Sequence, residues 1–268
     1  MKFQFSIKQY IIGFSILITI IPISLVIYFS YKFSEKSIHN FIFDHLTEKM
    51  VSIKHNLNTL LSVGENTNHT LQDLIETESI VLNNQENFGA TLLVHLKNGH
   101  DIMSIEYADE RNETVGVARE IFGSEYGMGI SGKDSNYNYH LRALDARDQQ
   151  REVLWTLNNY DSRTTSWYTT AKMANKPLWT PIYLWPNDEF GLDFVSPVKK
   201  NDKFAGVLDV SIRLNTLQVF IENSKHYPNS QIFLLEKDGS IIAGTDVEIV
   251  ALHSNDSRRR VVAAESNN

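Results

Sequence analysis

Every position from Gln9 to Tyr31 is uncharged, in a run bounded by Lys8 and Lys32. A helix needs about 20 apolar residues to cross a hydrocarbon core of about 30 Å, so the run predicts a membrane-spanning helix over 10–31. Pro22 is tolerated there as a kink, and Tyr10, Tyr28 and Tyr31 stand near the ends, where amphipathic rings prefer the headgroup level. After the run, residues 33–83 lack proline, and Leu46, Met50, Ile53, Leu57, Leu60 and Gly64 recur at alternating spacings of four and three. That spacing marks one apolar face of a long helix, which serves either to pack on a domain core or to form a dimer seam.

The pattern changes at about residue 88. The stretch FGATLLVHLKNGHDIMSIEYAD reads as two strands joined through Asn98-Gly99, and residues 111–140 as a polar, glycine-rich irregular stretch. Residues 142–158 predict a short element around Val153, Leu154 and Trp155. From 177 to 213, strand-like runs alternate with turns, the last turn being KKNDK. Residues 214–225 predict an amphipathic helix, and SQIFLLEKDGSIIAGT a hairpin turning at Asp238-Gly239. The order predicts an α+β fold: a long helix, then an antiparallel, sheet-rich module.

Charge and composition narrow the function. A net charge of -7 and a pI of about 5.7 argue against a nucleic-acid partner, which needs a basic face. The absence of cysteine excludes disulfides, thiolate catalysis and zinc–thiolate sites. Gly127-Met-Gly129-Ile-Ser-Gly132 matches G-x-G-x-x-G, but a polar segment follows it where a nucleotide-binding unit needs a helix, so it reads as a flexible loop. Nine histidines occur without an H-E-x-x-H pair, and no G-x-S-x-G elbow is present. Asn187-Asp188-Glu189 reads as a turn rather than a calcium site. No catalysis, metal or cofactor is expected.

Lys2 and Lys8 lie in a short tail without acidic residues, which keeps that tail cytoplasmic under the positive-inside rule and sends the rest outside. A cleaved signal peptide is the rival reading. Against it stand the length of the apolar run and the lack of an A-x-A-like site. The expected location is the inner (cytoplasmic) membrane, crossed once, with the domain periplasmic or extracellular.

The box Asp161-Ser162-Arg163-Thr164-Thr165-Ser166-Trp167-Tyr168 is followed by Trp179-Thr-Pro-Ile-Tyr183, by Ser196-Pro197-Val198, by the strand Gly206–Val210 and by Leu234-Leu235-Glu236-Lys237-Asp238-Gly239. In this order, after one membrane helix, the elements resemble the bacterial double Cache domains, paired PAS-like sensor modules of chemoreceptors, histidine kinases and nucleotide cyclases. The resemblance covers most of residues 35–245. It implies a cytoplasmic tail over 1–9, a transmembrane helix over 10–31, a long stalk helix over 32–85 and a distal PAS-like (Cache) module over 86–213. A connecting helix and partial proximal module then occupy 214–250, and a disordered tail 251–268. The second module looks truncated after its first hairpin.

The resemblance further implies an extracytoplasmic sensing domain for a small organic ligand, bound among Arg163, Trp167, Tyr168, Tyr183, Trp185, Asp193 and Asp209. Arg163 has an alternative role, pairing with Asp161. Amino-acid-binding members carry a second Arg where Thr165 stands, an Asp where Trp185 stands, and another Asp where Ser211 stands, with Asp209 nearby. An amino-acid receptor of that subtype is therefore not expected. Other partners are the membrane, through one helix, and a second subunit, either another copy or a full-length receptor. The alternative function is a membrane-anchored interaction protein without a small ligand, or a receptor remnant.

Overall fold

The structure, a computed structural model, describes residues 7–80, 84–225, 228–246, 250–252 and 258–260. The expectations placed on Lys2 and on the Tyr10 ring lie outside the described residues. The chain divides into two compact units, Met1–Asn56 and Leu57–Asn268.

The first unit is helical. Helix α1 runs Ile7–Glu76 with Pro22 inside it, and it is the one described helix apolar and long enough to cross a membrane. Leu46 and Met50 are 50% and 70% exposed, so this part of the 46–64 stripe is not core.

In the second unit the same helix face becomes core. Leu60 is buried, Gly64 lies under Trp179, and Asn68, Leu71 and Ile75 are fully buried. The core-packing role expected for the stripe therefore belongs to its C-terminal end and to three positions beyond it.

Helix α2 (Gln85–Asn98) occupies the segment expected to be the first strand of a hairpin. Asn84 starts it, its side chain accepting from the Asn87 N–H at 3.0 Å, as an N-cap does. Phe88, Leu92, Leu93 and Leu96 fall on one buried face. Gly99 ends it, its N–H donating to the carbonyls of His95 and Leu96. Asn-Gly thus closes a helix here, because helix C-termini and two-residue hairpins both recruit these residue types.

The strands that follow are β1 (Ser104–Asp109), β2 (Thr114–Ile121), β3 (Ser124–Ser131), β4 (Tyr139–Leu144) and β5 (Gln150–Leu157). The expected glycine-rich irregular stretch is thus mostly strand, and Gly127 and Gly129 of the G-x-G-x-x-G run lie in β3 rather than in a loop. Helix α3 (Ser166–Ala174) precedes β6 (Leu178–Trp179), β7 (Tyr183–Leu184), β8 (Phe190–Lys200) and β9 (Lys203–Arg213). These nine strands form one antiparallel sheet in the order β5-β4-β3-β2-β1-β9-β8-β6, with β7 also on β8. The β8–β9 turn uses Asn201 and Asp202, both at positive φ, the signature of a tight hairpin.

Helix α4 (Leu214–Asn223) and the hairpin β10 (Phe233–Leu235) and β11 (Ile241–Gly244) follow the sequence expectation. β12 (Val250–Leu252), which starts at the last residue before the tail expected to be disordered, pairs with β13 (Arg258–Arg260) inside that tail.

Alternation along the strands sorts the sheet into two faces. Ile105, Tyr107, Val115, Val117, Met128, Leu208 and Val210 meet Leu71, Ile75 and the apolar face of α2 in the main core. The intervening residues point to the opposite face, where α3 and the loops around it pack.

Candidate functional site

A cavity of about 290 Å³ opens on that second face. It is at the small end of the range for small-molecule sites. Its walls are Trp155, Tyr160, Trp167, Tyr183, Trp185 and Tyr139 over a floor that includes Glu106, Gly116, Ala118, Asp209 and Ser211. Among the described residues, no lysine, arginine or histidine lines it.

Strand register builds the floor. Glu106 of β1 lies directly across from Asp209 of β9, and Asp193 of β8 across from Ser211. Residues two apart share a face, so three carboxylates gather on one side of the sheet. Asp209 Oδ2 accepts from the Ser211 hydroxyl at 3.0 Å. Tyr183 donates its hydroxyl to Asp193 Oδ2 and stands between that carboxyl and the cavity. Tyr160 donates to Glu106 Oε1 at 3.4 Å. Asp209 Oδ1 and Asp193 Oδ1 are buried without a partner.

Like charges opposed across a ladder, in the dry interior, disfavour ionisation. Burial, reinforced by Asp193, pushes Glu106 up to about 8. Burial holds Asp193 at about 6, against the opposing hydrogen bonds of Tyr183 and Ser211. Burial, then the charges of Asp193 and Glu106, raise Asp209 well above the carboxylate range. Tyr139 and Tyr160 are raised for the same reasons and stay as hydroxyl donors.

Glycines make the rings fit. A Cβ on Gly129 would lie 2.0 Å from the Tyr139 hydroxyl, and one on Gly191 would lie 2.0 Å from Cζ2 of Trp185. Gly116 leaves space beside both Glu106 and Tyr139. The rim segment Trp185-Pro186-Asn187 is carried on the β7–β8 turn, where the Trp185 N–H donates to the Glu189 carbonyl at 2.8 Å. Arg213 clasps the turn, donating from Nε to Glu189 at 2.9 Å and from Nη2 to the carbonyls of Arg119 and Glu120.

Of the residues expected at the site, Trp167, Tyr183, Trp185 and Asp209 line the cavity, and Asp193 lies behind Tyr183. Two stand elsewhere. Arg163 makes a forked pair with Asp161 and donates to the Glu110 carbonyl, which is the alternative role read from the sequence. Tyr168, one residue after Trp167, does not line the cavity and packs with Ala108, Val195 and Val207. Sequence reasoning missed Glu106, Tyr139 and Tyr160. The only signal for Glu106 was one acidic residue in an alternating strand, a pattern that ordinarily faces water.

Residues 119–219 match the family described as methyl-accepting chemotaxis protein-like, first PDC sensor domain. Among solved structures, the chain is similar to the sensory domain of the Campylobacter jejuni chemoreceptor Tlp3 with isoleucine bound. That match has 18% identity and a TM-score of 0.56, over 80% of this chain and 75% of that one. The extracellular domain of soHK1S-Z6, described as a proposed histidine kinase, matches at 17% identity and a TM-score of 0.54, over 78% and 72% of the two chains. A structure described as methyl-accepting chemotaxis protein X matches at 15% identity and a TM-score of 0.52, over 77% and 75%. No curated protein matches the chain in sequence. Residues 119–219 thus match a sensor-domain family of chemotaxis receptors, and most of the chain has the fold of these extracellular sensory domains.

Proposed function

We propose that the chain is the extracytoplasmic sensing part of a bacterial membrane receptor, with the cavity on the second sheet face as its small-molecule site. The observation that carries this reading is a cavity walled by aromatic rings and floored by buried polar groups, the composition of small-ligand sites. The matched sensory domains, one of them solved with isoleucine bound, support it. The uncharged run in α1 supports a single membrane crossing, and the lysines of the tail support a cytoplasmic N-terminus in the cytoplasmic membrane.

A route from ligand to helix follows from Asn68. Its amide Nδ2 donates to the carbonyls of Phe194 at 2.8 Å and Leu208 at 3.2 Å, and its Oδ1 accepts from the Ser196 hydroxyl. Phe194 and Leu208 are the immediate neighbours of Asp193 and Asp209. A ligand that draws those carboxylates into the cavity shifts strands that α1 holds directly. Such a shift signals only if the ligand binds the two strand positions with different affinity.

The test uses the full chain in lipid nanodiscs, melted against a metabolite panel and followed by tryptophan fluorescence. A class of compounds that raises the melting temperature supports sensing, since ligand binding only the native state stabilises it. Ala118→Phe, which fills the cavity, is expected to abolish that rise. A folded protein that no compound stabilises overturns the reading.

A second, compatible role is dimerisation through the exposed positions Leu46 and Met50. Because the chain has no cysteine, Met50→Cys in membranes gives a clean disulfide test. A crosslinked dimer is the expected product, and monomer alone argues against this seam.

A further inference from the structure

We infer that the cavity takes an organic ammonium cation that carries no carboxylate group. This rests on the reading of the cavity as a ligand site and names the chemical class that the site accepts.

Three observations converge. First, Asp209 lines the cavity, is 3% exposed, and keeps Oδ1 without a hydrogen-bond partner. A buried carboxylate oxygen left unpaired is costly, and an ammonium N–H supplies the missing donor. Second, Glu106 shares the floor, directly across the ladder from Asp209, so the floor is an acidic surface two strands wide. Third, Trp155, Trp167, Tyr160 and Tyr183 stand around it, and aromatic faces attract alkylammonium groups.

The same wall rejects a carboxylate. With no lysine, arginine or histidine among the described residues that line the cavity, an amino acid would bring in an anion facing carboxylates and no cation. Its charge would be buried unpaired, which costs more than its ammonium group recovers. The apolar positions Met103, Ala118 and Leu141 on the lining leave room for a short hydrocarbon body. Cation binding also favours the ionised acids, so it releases a proton and tightens as pH rises, because Glu106, pushed up to about 8, holds its proton at neutral pH in the empty site.

The experiment pairs each amine with its carboxylated parent: isobutylamine against valine, isoamylamine against leucine, phenethylamine against phenylalanine. Putrescine and tetramethylammonium are added as cations of other shape. Each is titrated into the full chain in nanodiscs, read by tryptophan fluorescence and calorimetry. At least one cation is expected to bind saturably, with proton release. Where that cation is one of the three paired amines, its parent amino acid is expected to bind weaker by roughly tenfold or more. Asp209→Asn is expected to lose roughly tenfold or more in affinity for that cation, while melting no lower than the original protein without ligand. Valine, leucine or phenylalanine binding as tightly as its amine overturns the inference, as does failure of every cation to bind. Unchanged affinity in a folded Asp209→Asn does so too. If carboxylated or neutral compounds from the wider panel bind instead, only this inference falls. If nothing stabilises the folded chain, the sensor reading falls with it.

Discussion

Replacing Glu106 by glutamine removes an acid that burial, with Asp193 beside it, lifts from an ordinary value of 4.5 to about 8. The native state keeps this proton over a range where the unfolded chain releases it. The native state therefore binds more protons between the two values, and stability falls as pH rises. The contribution is fully present below pH 4.5 and is lost as pH rises through about 8. Each pH unit inside that range costs about 1.4 kcal/mol, so from pH 6.5 to 8 the loss is about 2 kcal/mol. For a unit the size of Leu57–Asn268, that is a fall of about 4–8 °C in melting temperature. His95, lowered from 6.5 by burial, works in the opposite direction, but only below its ordinary value, so the window opens at pH 6.5. Asp193 and Asp209, both raised, are present in both proteins. Melts of the full chain and of Glu106→Gln in nanodiscs, across this window without ligand, are expected to separate by a further 4–8 °C or so in favour of the variant. A gap that stays constant or narrows as pH rises refutes the buried, protonated Glu106.

Three further outcomes follow from the geometry. Gly191→Ala drives a Cβ into the ring of Trp185 and is expected to cost about 1–3 kcal/mol. Tryptophan emission should shift, with loss of ligand affinity; unchanged emission would mean that the ring does not lie over Gly191. Asn68→Ala leaves two strand carbonyls and the Ser196 hydroxyl without their buried partner, at a cost of about 2–4 kcal/mol in denaturant melts; a change under about 0.5 kcal/mol would dissolve the link between α1 and the sheet. Arg163→Ala breaks a half-exposed pair with Asp161 and one hydrogen bond to the Glu110 carbonyl. It is expected to change stability by less than about 1 kcal/mol and to leave ligand affinity as it was, whereas a large affinity loss would return Arg163 to the site.

The readable parts of the sequence were those governed by neighbours along the chain. Asn201-Asp202 and Asp238-Gly239 turned where their residue types require, because a two-residue turn is decided by its own backbone preferences. Asn98-Gly99 misled because the same pair serves a helix end, and the deciding fact was a remote one: the face of α2 had a sheet to cover. In α3, the box motif pointed to both Trp167 and Tyr168, but adjacent residues on a helix diverge, so only one reaches the cavity.

By itself the sequence determined the uncharged span of α1, the helix-then-sheet order and the aromatic concentration between Trp155 and Trp185, since hydrophobic run length and local turn chemistry are properties of contiguous residues. Only the tertiary structure decided that Glu106, Asp193 and Asp209 gather on one face of the sheet. They come from three strands, and the burial that holds their protons depends on rings seated over distant glycines. Proton affinity is a property of the assembled surroundings, and those surroundings exist only once β1 lies beside β9.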